Sequence, residues 1–525
     1  MPLTTNTDVI IVGAGPTGLS LACQFARYGF DFVVIEKGDG VTLYSKALGV
    51  HARTLEIYEQ LGLAQTAVEQ GTIAGKVRLL EKGEIVGEVD LSNIGEGLSA
   101  FPFMLVLEQS ENELLLYKYL QDHGRDVVWQ TELQTFSQDE TGVTARVKNS
   151  AGELQTITGK YLVGCDGPRS PVRHALGLSF EGSTFERTFY VADVEIDWKF
   201  SHDALHGCLA RNAVVAFFPM RGEKRWRIVG AFPPEFAKDE GEVLYEEIEA
   251  RIKEEAELDL EITKVYWFST YKVHTRHVEK FSSGRCFLAG DAAHIHTPAG
   301  GQGMNTGIQD AYNLAWKLAL VLKGAAAARI LDTYNEERLP NARRLLQTTD
   351  RMFNLAAGTD WFVNLIRTTI FPPLAKFILS IDAVKKKFFP MISQIGITYR
   401  DSSLSVHDGD SEFEVKAGDR LPYFLIAGKS VYDKLRAPKF HLLTFSGDHS
   451  DYAGDYRQAT DVIGTRYADL LDQYAMPLYP QAGEIFGTDQ PFQVLLRPDN
   501  YIAFISKETS SSGLDVYLKE IIGNS

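Results

Sequence analysis

Hydrophobic residues near the amino terminus follow two patterns in turn. Residues 8–13 form a short apolar run rich in Ile and Val, which is typical of a buried parallel strand. Residues 16–27 carry apolar side chains at helical spacing, and residues 32–35 form a second apolar run. The pattern predicts a strand–turn–helix–strand unit at the start of an α/β domain.

The middle of the chain has a different pattern, in which apolar, aromatic and polar positions alternate. Polar turns separate such segments between about residues 184 and 271: TFYVADVEID, NAVVAFFPM, RWRIVGAFP and KVYWFSTYKV. They predict an antiparallel sheet. Because nucleotide-type motifs resume at Gly284, the sheet is expected to be inserted into a discontinuous α/β domain. We expect the substrate to bind in the cleft between the two.

The carboxyl-terminal third contains two further patterns. Residues from about 332 to 395 have the spacing of amphipathic helices. After Arg400, short strand candidates appear, namely LLTF, FQVLL and YIAFI. These patterns predict a helical segment followed by another domain.

Composition and charge narrow the class of protein. The 525 residues and 58.5 kDa are enough for two or three domains. The 53 basic and 69 acidic residues give a formal charge of −16, which argues against nucleic acid as a partner. No apolar stretch is as long as the roughly 18 residues that a membrane span needs, so no span is predicted.

The spacing of the cysteines argues against disulfide and metal chemistry. Cys23, Cys165, Cys208 and Cys286 are far apart, without a CxxC pair or metal-ligand spacing, so we expect neither a disulfide framework nor a metal site. The start, MPLTTNTDVIIVGAG, lacks the features of an export signal. A cytoplasmic location is the expectation.

The segment VGAGPTG lies between the first predicted strand and helix. Its glycines, Gly13, Gly15 and Gly18, allow a tight turn and a close approach of the backbone to a pyrophosphate at the helix amino terminus. Glu36 ends the next strand, where its carboxylate is placed to accept hydrogen bonds from a ribose. This fingerprint predicts a dinucleotide site without separating NAD from FAD.

Four further segments carry a family resemblance: SKALGVHARTLEIYEQLGL, VLEQSENELLLYKYL, YLVGCDGPRSPVR and GRCFLAGDAAHIHTPAGGQGMN. They resemble the FAD-dependent aromatic hydroxylases, the single-component flavoprotein monooxygenases similar to p-hydroxybenzoate hydroxylase and phenol hydroxylase. The last block, with AGDRLP and LLRPDNYIAF, looks like the thioredoxin-like domain of larger members, but here it lacks cysteines and the dithiol chemistry that needs them. The expected fold class is therefore α/β, with a Rossmann-like FAD-binding domain, an inserted antiparallel-sheet substrate domain and a thioredoxin-like C-terminal domain.

This fold implies domain boundaries. The FAD-binding domain is expected to be discontinuous and the substrate sheet to have two parts. The predicted ranges are 1–75, 104–180 and 281–340 for the FAD-binding domain, 76–103 and 181–280 for the substrate sheet, 341–399 for the helical segment and 400–525 for the C-terminal domain.

The fingerprint and the resemblance together imply the residues that bind FAD. In the family the Asp-Gly pair at Asp166 lies near both FAD and the nicotinamide, and the aspartate at position 291 binds the ribityl chain. The helix after Gly303 is expected to point its positive end at the flavin. The full predicted set is Gly13, Gly15, Pro16, Thr17, Gly18, Glu36, Lys37, Lys46, Arg53, Gln109, Asp166, Gly290, Asp291, Pro298, Gly301, Gly303, Met304 and Asn305.

The resemblance also implies the reaction. NADPH, or NADH, reduces the flavin as a transient co-substrate. Dioxygen then forms a flavin hydroperoxide, which hydroxylates an aromatic compound that is phenolic or polyketide-like. Because the chain has no second glycine fingerprint, the nicotinamide is expected to bind in a surface groove.

The catalytic base is the least defined part of the site. Members similar to phenol hydroxylase carry an aspartate where this chain has Leu48. The remaining candidates for a base are His51, Tyr190, Arg227 and His294. Pocket candidates are Leu48, Pro298 and the strand aromatics Phe217, Phe218, Trp226 and Trp267.

Two rival functions use the same scaffold. An FAD-dependent dehydrogenase or reductase would form product without incorporating oxygen, and a halogenase is disfavoured because its Trp-rich signature is missing. A ligand-binding flavoprotein without turnover is the non-enzyme alternative. Expected partners are a small aromatic substrate and dioxygen, with a homodimer as the default assembly.

Overall fold

The computed structural model places three extended sheets in one chain. It describes residues 5–209, 214–232, 245–357, 382–408, 413–447, 457–458, 462–509 and 512–522. Part of the predicted helical segment, residues 358–381, lies outside the described residues. Among those described, no helix has the length and apolar character needed to cross a membrane.

The first sheet is built around parallel strands. Asn6–Val12 lies between Phe32–Ile35 and Leu154–Gly164, parallel to both. Cys286–Leu288, from beyond the inserted segment, adds a further parallel strand beside Leu154–Gly164, so the sheet is assembled from distant parts of the chain. The other strands of this sheet are Val127–Val128, Glu132–Gln138, Val143–Lys148 and Ser282–Ser283.

The second sheet is the inserted one. Its long central strands, Glu181–Trp198 and Leu260–His277, pair antiparallel to each other. The prediction of a purely antiparallel sheet is wrong at one pair, because Ala204–Leu209 runs parallel to Lys76–Glu81. That pairing joins two sequence-distant segments, which turn patterns do not reveal. The remaining strands are Glu84–Asp90, Val214–Pro219, Arg225–Ala231 and His294–Ile295.

The third sheet forms the C-terminal domain and is mixed. Phe440–Phe445 lies at its centre, parallel to Leu471–Met476 and antiparallel to Phe492–Leu496. A separate apolar core that includes Phe445, Phe486 and Phe492 supports it. Its other strands are Val406–Asp408, Arg457–Gln458 and Ile502–Ser506. The α/β fold class predicted from the sequence is confirmed.

Two small sheets and the helices complete the fold. The small sheets combine Gly49–Val50, Thr72–Ala74 and Met104–Val106, and Leu425–Ile426 with Lys429–Ser430. Short 3-10 helices cover Gly290–Ala292, Ala299–Gly301, Ala328–Leu331 and Val431–Lys434. The α-helices are α1 (Pro16–Tyr28), α2 (Ala52–Leu61), α3 (Ala64–Gln70), α4 (Gln109–Asp122), α5 (Pro171–Ala175), α6 (Tyr245–Ala256), α7 (Gly303–Leu322), α8 (Asp332–Ala357), α9 (Asp382–Ile392), α10 (Val462–Arg466), α11 (Gln481–Phe486) and α12 (Ser512–Ile522).

A buried charge network ties the C-terminal domain to α7 and α8. Glu337 on α8 accepts hydrogen bonds from Arg497 at 2.6 Å and from Lys317 at 2.8 Å. Asp499 binds Arg497 and accepts a hydrogen bond from the Trp316 indole. Burial alone would raise the pKa of Glu337, but Arg497 and Lys317 hold it below its usual range. The network is fully paired, as buried charges must be.

Replacing Glu337 with Ala is expected to lower the free energy of unfolding by about 3–5 kcal/mol, because Arg497 and Lys317 would then be buried without their partner. The control is Glu84→Ala, which breaks an exposed pair with Lys199 and should cost less than about 1 kcal/mol. Urea denaturation followed by tryptophan fluorescence measures both. Equal effects of the two substitutions would contradict the role given to this network.

Candidate active site

The three glycines of the turn before α1 have different surroundings: two are required by close packing, and one borders open space. Gly13 has φ +102°, and a Cβ there would overlap the carbonyl of Cys165. A Cβ on Gly18 would overlap the carbonyl of Gly13. Gly15 differs, because its Cβ would meet no atom within 4 Å, and no side chain caps the helix there. The free amides of α1 therefore face open space suited to a pyrophosphate.

Glu36 is held against this turn. Its carboxylate accepts hydrogen bonds from the backbone amides of Ala14 and Gly38, each at 2.9 Å. Each carboxylate oxygen accepts more than one hydrogen bond, so acceptor capacity for ribose hydroxyls remains. The neighbouring Lys37 is exposed.

The other predicted motifs meet the turn at Thr17, on the first turn of α1. A Cβ on Gly290 or on Gly307 would overlap the Thr17 hydroxyl, so these segments pack in direct contact. Asp166 follows the strand beside Gly13, and its Oδ2 accepts a hydrogen bond from the amide of Val172 at 3.1 Å. Its buried Oδ1 has no partner in the protein, and burial raises the pKa of this carboxyl. A ligand hydroxyl or amide would satisfy that oxygen.

Asp291 and Lys46 lie close enough to interact. Asp291 keeps solvent-exposed surface, and desolvation by the surrounding protein raises the pKa of its carboxyl against the opposing effects of His294 and Lys46. Both residues come from predicted FAD segments that are far apart in sequence. Their proximity is what a shared cofactor would require.

Residues 296–303, called the flavin loop below, are fixed by one buried side chain. The Asn305 amide nitrogen donates to the carbonyls of Gly49 and Gly301, each at 2.9 Å. Its carbonyl accepts from the His51 amide at 2.9 Å and from the Thr54 hydroxyl at 2.7 Å. With its side chain saturated in this way, Asn305 positions the loop, and the first backbone amides of α7 lack acceptors within the helix.

His51 also holds the flavin loop. Its Nε2 donates to the carbonyl of Gly300 at 3.0 Å, and Gly300 has φ +74°. Burial lowers the pKa of His51 to about 4, so the imidazole is neutral at physiological pH. Through Nε2, His51 positions the flavin loop, while its buried Nδ1 has no partner in the protein, so a role as a base stays a prediction.

Sequence reasoning missed the residue that supports Gly290. Asp310 on α7 accepts hydrogen bonds from the amide of Gly290 at 3.0 Å and from His294 Nε2 at 2.7 Å. Arg338 pairs with its other oxygen at 2.6 Å. Through Nε2, His294 thus supports the turn, and its buried Nδ1 has no partner in the protein. The available signal was an acidic residue among the buried positions of α7, which also include Asn305 and Lys317.

Gln109 and Arg53 have different surroundings. The Gln109 carbonyl accepts hydrogen bonds from the amides of Lys46 and Ala47, each at 3.2 Å, so it shapes the loop that carries Lys46. Arg53 is fully buried and donates to the carbonyl of Asp499 at 2.8 Å, under the ring of Tyr501. This position replaces the interpretation of Arg53 as a flavin contact with one in which it joins α2 to the C-terminal domain.

The last predicted cofactor residues border the flavin loop. Pro298 is exposed and precedes the 3-10 helix within the loop. Gly303 begins α7, and Met304 follows it and accepts a weak hydrogen bond from Asn112 at its sulfur. Among the described residues, no cluster of His, Cys, Asp and Glu side chains could hold a metal ion.

The inserted sheet divides the predicted pocket residues between its two faces. One face, called the far face, is covered by α6 and carries Phe217 and Trp226, which pack on Trp198 at ring distances of 4.7 and 4.9 Å. Tyr190 lies on this face too, against Phe232. The predictions of Phe217 and Trp226 as pocket walls and of Tyr190 as a base are therefore wrong. Side chains alternate along a strand, and the sequence did not show which set faces the cleft.

The opposite face, called the near face, meets the FAD-binding domain. Phe218 and Met220 pack there against Leu48 and Val106. Arg227 lies on the same face and binds Asp193 with two hydrogen bonds, at 2.6 and 2.7 Å. Both side chains of this pair are buried. The near face thus combines apolar side chains with the buried Arg227–Asp193 ion pair.

One nitrogen of the Arg227 guanidinium has no acceptor for its hydrogen bonds. The NH1 atom of Arg227 is buried and has no hydrogen-bond partner in the protein. The guanidinium lies 5.8 Å from the ring centre of Trp267, which itself stacks with Tyr44. A buried cationic donor without a partner is costly unless a ligand satisfies it.

Comparisons with known proteins agree with this geometry. A family model described as an FAD binding domain matches residues 6–349. The 6-methylpretetramide 4-monooxygenase of Streptomyces rimosus is 32% identical over 99% of this chain and 94% of its own length. The pentachlorophenol 4-monooxygenase of Sphingobium chlorophenolicum is 30% identical over 95% of this chain and 93% of its own length. Among solved structures, OxyS anhydrotetracycline hydroxylase from Streptomyces rimosus is similar with a TM-score of 0.77 at 29% identity, covering 99% of each chain.

Gly15→Ala is expected to weaken FAD binding by about tenfold or more without unfolding the protein, because the added methyl occupies the open space before α1. Gly40 is the control, since its Cβ would also meet no protein atom but it lies outside the turn. FAD titration by fluorescence quenching, with circular dichroism for folding, measures both. Normal FAD affinity in Gly15→Ala would contradict the pyrophosphate site.

Proposed function

This chain belongs to the FAD-dependent aromatic monooxygenases, and on that premise we propose that it hydroxylates a phenolic ring, using NADPH or NADH and dioxygen. One observation carries the phenolic specificity: the buried NH1 donor of Arg227 on the apolar near face. A phenolic oxygen, neutral or ionised, is an acceptor for that donor.

FAD would supply the redox chemistry, taking up a hydride from the nicotinamide and delivering one oxygen atom of dioxygen to the ring. The chain's own residues would bind and orient the cofactor. Gly15 and the amino end of α1 would hold the pyrophosphate, Glu36 would bind the ribose, and Asp291 would bind the ribityl chain. The backbone amides at the start of α7 stabilise negative charge on the ring system of the cofactor.

The apolar part of the near face is suited to the exclusion of water. Leu48, Val106, Phe218 and Met220 form a patch without polar side chains. Such a surface keeps water away from the reacting atoms, which prevents the loss of reducing equivalents to hydrogen peroxide. Arg227 is the polar group that orients the substrate within this patch.

The size of the substrate is proposed from the relatives. One is named for 6-methylpretetramide, another for pentachlorophenol, and a similar structure for anhydrotetracycline. Trp267 and Tyr44 extend the near face toward solvent as a stacked aromatic pair. We infer from this extension that polycyclic phenols of the polyketide type fit better than single rings.

The assembly and location remain predictions within this proposal. A homodimer is expected from the preference of enzymes for twofold symmetry. The free, buried cysteines fit a reducing compartment such as the cytoplasm. Light scattering of the FAD-loaded protein measures the assembly.

The purified protein is expected to be yellow and to oxidise NADPH faster when a phenol that fits the cleft is added. Single-ring and polycyclic phenols are compared, with hydrogen peroxide and product mass followed in parallel. A product heavier by one oxygen atom, with little peroxide, supports the proposal. A product formed without oxygen incorporation would point to a dehydrogenase, and the absence of stimulation by any phenol would contradict the phenolic specificity.

Arg227→Lys is expected to raise the KM for the phenol about tenfold, because lysine keeps a charge for Asp193 but loses the planar guanidinium with its NH1 donor. Trp226→Phe is the control, because residue 226 is adjacent in sequence but lies on the far face. Steady-state kinetics with the best phenol of the panel measures both. An unchanged KM in Arg227→Lys would show that Arg227 does not bind the substrate.

A further inference from the structure

Hydroxylation of a phenol is easier when the hydroxyl proton has an acceptor. His51 and His294 each use Nε2, in hydrogen bonds to Gly300 and Asp310, and the buried Nδ1 of each has no partner in the protein. Tyr190 lies on the far face. An acceptor that acts together with NH1 of Arg227 must lie beside that atom on the near face.

The segment beside Leu48 supplies a carboxylate. The amide of Leu107 donates to the carbonyl of Leu48 at 2.7 Å, and the adjacent strands Gly49–Val50 and Met104–Val106 pair antiparallel. The next residue is Glu108, which precedes α4. Glu108 thus lies on the chain next to Leu48, at the boundary between the FAD-binding domain and the inserted sheet.

Glu108 faces the near face of the sheet. Its Oε1 is 3.3 Å from NH1 of Arg225, which is two residues from Arg227 on the same strand and the same face. Only 15% of the Glu108 side chain is exposed. Arg227 and Asp193 are both close enough to affect its charge. Glu108 and the unused donor of Arg227 therefore border the same part of the cleft.

Resting on the proposed function, we propose that Glu108 is the catalytic residue that accepts the proton of the substrate's phenolic hydroxyl, while NH1 of Arg227 binds the resulting phenolate. The O–H bond of the phenol breaks, an O–H bond forms on the Glu108 carboxylate, and the electron pair stays on the phenolic oxygen. No electrons are transferred in this step. The exposed edge of Glu108 returns the proton to solvent.

The charges around Glu108 suit this task. Burial raises the pKa of its carboxyl above the usual range, and Arg225 opposes that effect. Asp193 and Glu111 raise the pKa further, and Arg227 lowers it. A carboxylate with a raised pKa is a better proton acceptor. Because the base must be ionised, turnover is expected to rise with pH through a value above that of an ordinary glutamate.

The test compares Glu108→Gln with Glu108→Asp and with Glu111→Gln, which removes a carboxylate one turn further along α4. Each FAD-loaded variant is assayed over the acid range with the phenol that is hydroxylated fastest by the wild type. Flavin reduction by NADPH without phenol is measured as well, because it reports on the cofactor site alone. We expect Glu108→Gln to lose on the order of 100-fold in hydroxylation rate and to lose the rise with pH.

The other two variants serve as controls for the assignment of Glu108. Glu108→Asp is expected to retain the rise with pH. Glu111→Gln is expected to retain the wild-type hydroxylation rate, with the rise moved to lower pH because one charge that raises the pKa of Glu108 is gone. Wild-type rates in Glu108→Gln, or an equal fall in its hydroxylation and its phenol-free flavin reduction, would overturn the assignment. If no phenol stimulates the wild type, it is the proposed function that fails, so the two failures are distinguishable.

Discussion

A single buried amide holds the two sides of the site at a fixed distance. The side chain of Asn305 is hydrogen-bonded to the loop before α2, to α2 itself and to the flavin loop. Since such a group is costly to bury unless all its hydrogen bonds form, these three segments have one compatible arrangement. The start of α7, with its free amides, is placed by the same contacts.

This arrangement extends to the C-terminal domain. From α2, Arg53 binds the carbonyl of Asp499, and Glu56 pairs with Arg420 at 3.1 Å. From α7 and α8, Lys317 and Glu337 join the network of Arg497. The domain without cysteines thus has a structural role: its charged and polar groups fix the positions of α2, α7 and α8. Its charges are buried together, so their pairing specifies one docked position.

Whether a feature of the fold or the site could be predicted from the sequence depends on whether it is a local pattern or a contact between distant segments. The family and the α/β fold class were predictable, because they rest on local patterns such as the glycine turn and Glu36, whose spacing follows from the chemistry of a dinucleotide. The roles of these residues toward FAD stay predictions. The face of each strand was not predictable, since a shift of one residue exchanges Trp226 for Arg227. Asp310 and Glu108 escaped because their roles arise from contacts between distant segments, and Arg53 was misread because its partners lie in the C-terminal domain. The different surroundings of Gly15, compared with those of Gly13 and Gly18, likewise become visible only in the three-dimensional structure.

We propose that the reaction takes place on the near face, between the flavin loop and the inserted sheet. A crystal structure of the FAD-loaded protein with a bound phenol tests this claim most directly. The account predicts that the phenolic oxygen lies within hydrogen-bond distance of NH1 of Arg227 and beside Glu108, with the aromatic ring packed between the flavin and Phe218. A phenol bound on the far face or outside the cleft, with NH1 of Arg227 still without a partner, would contradict it.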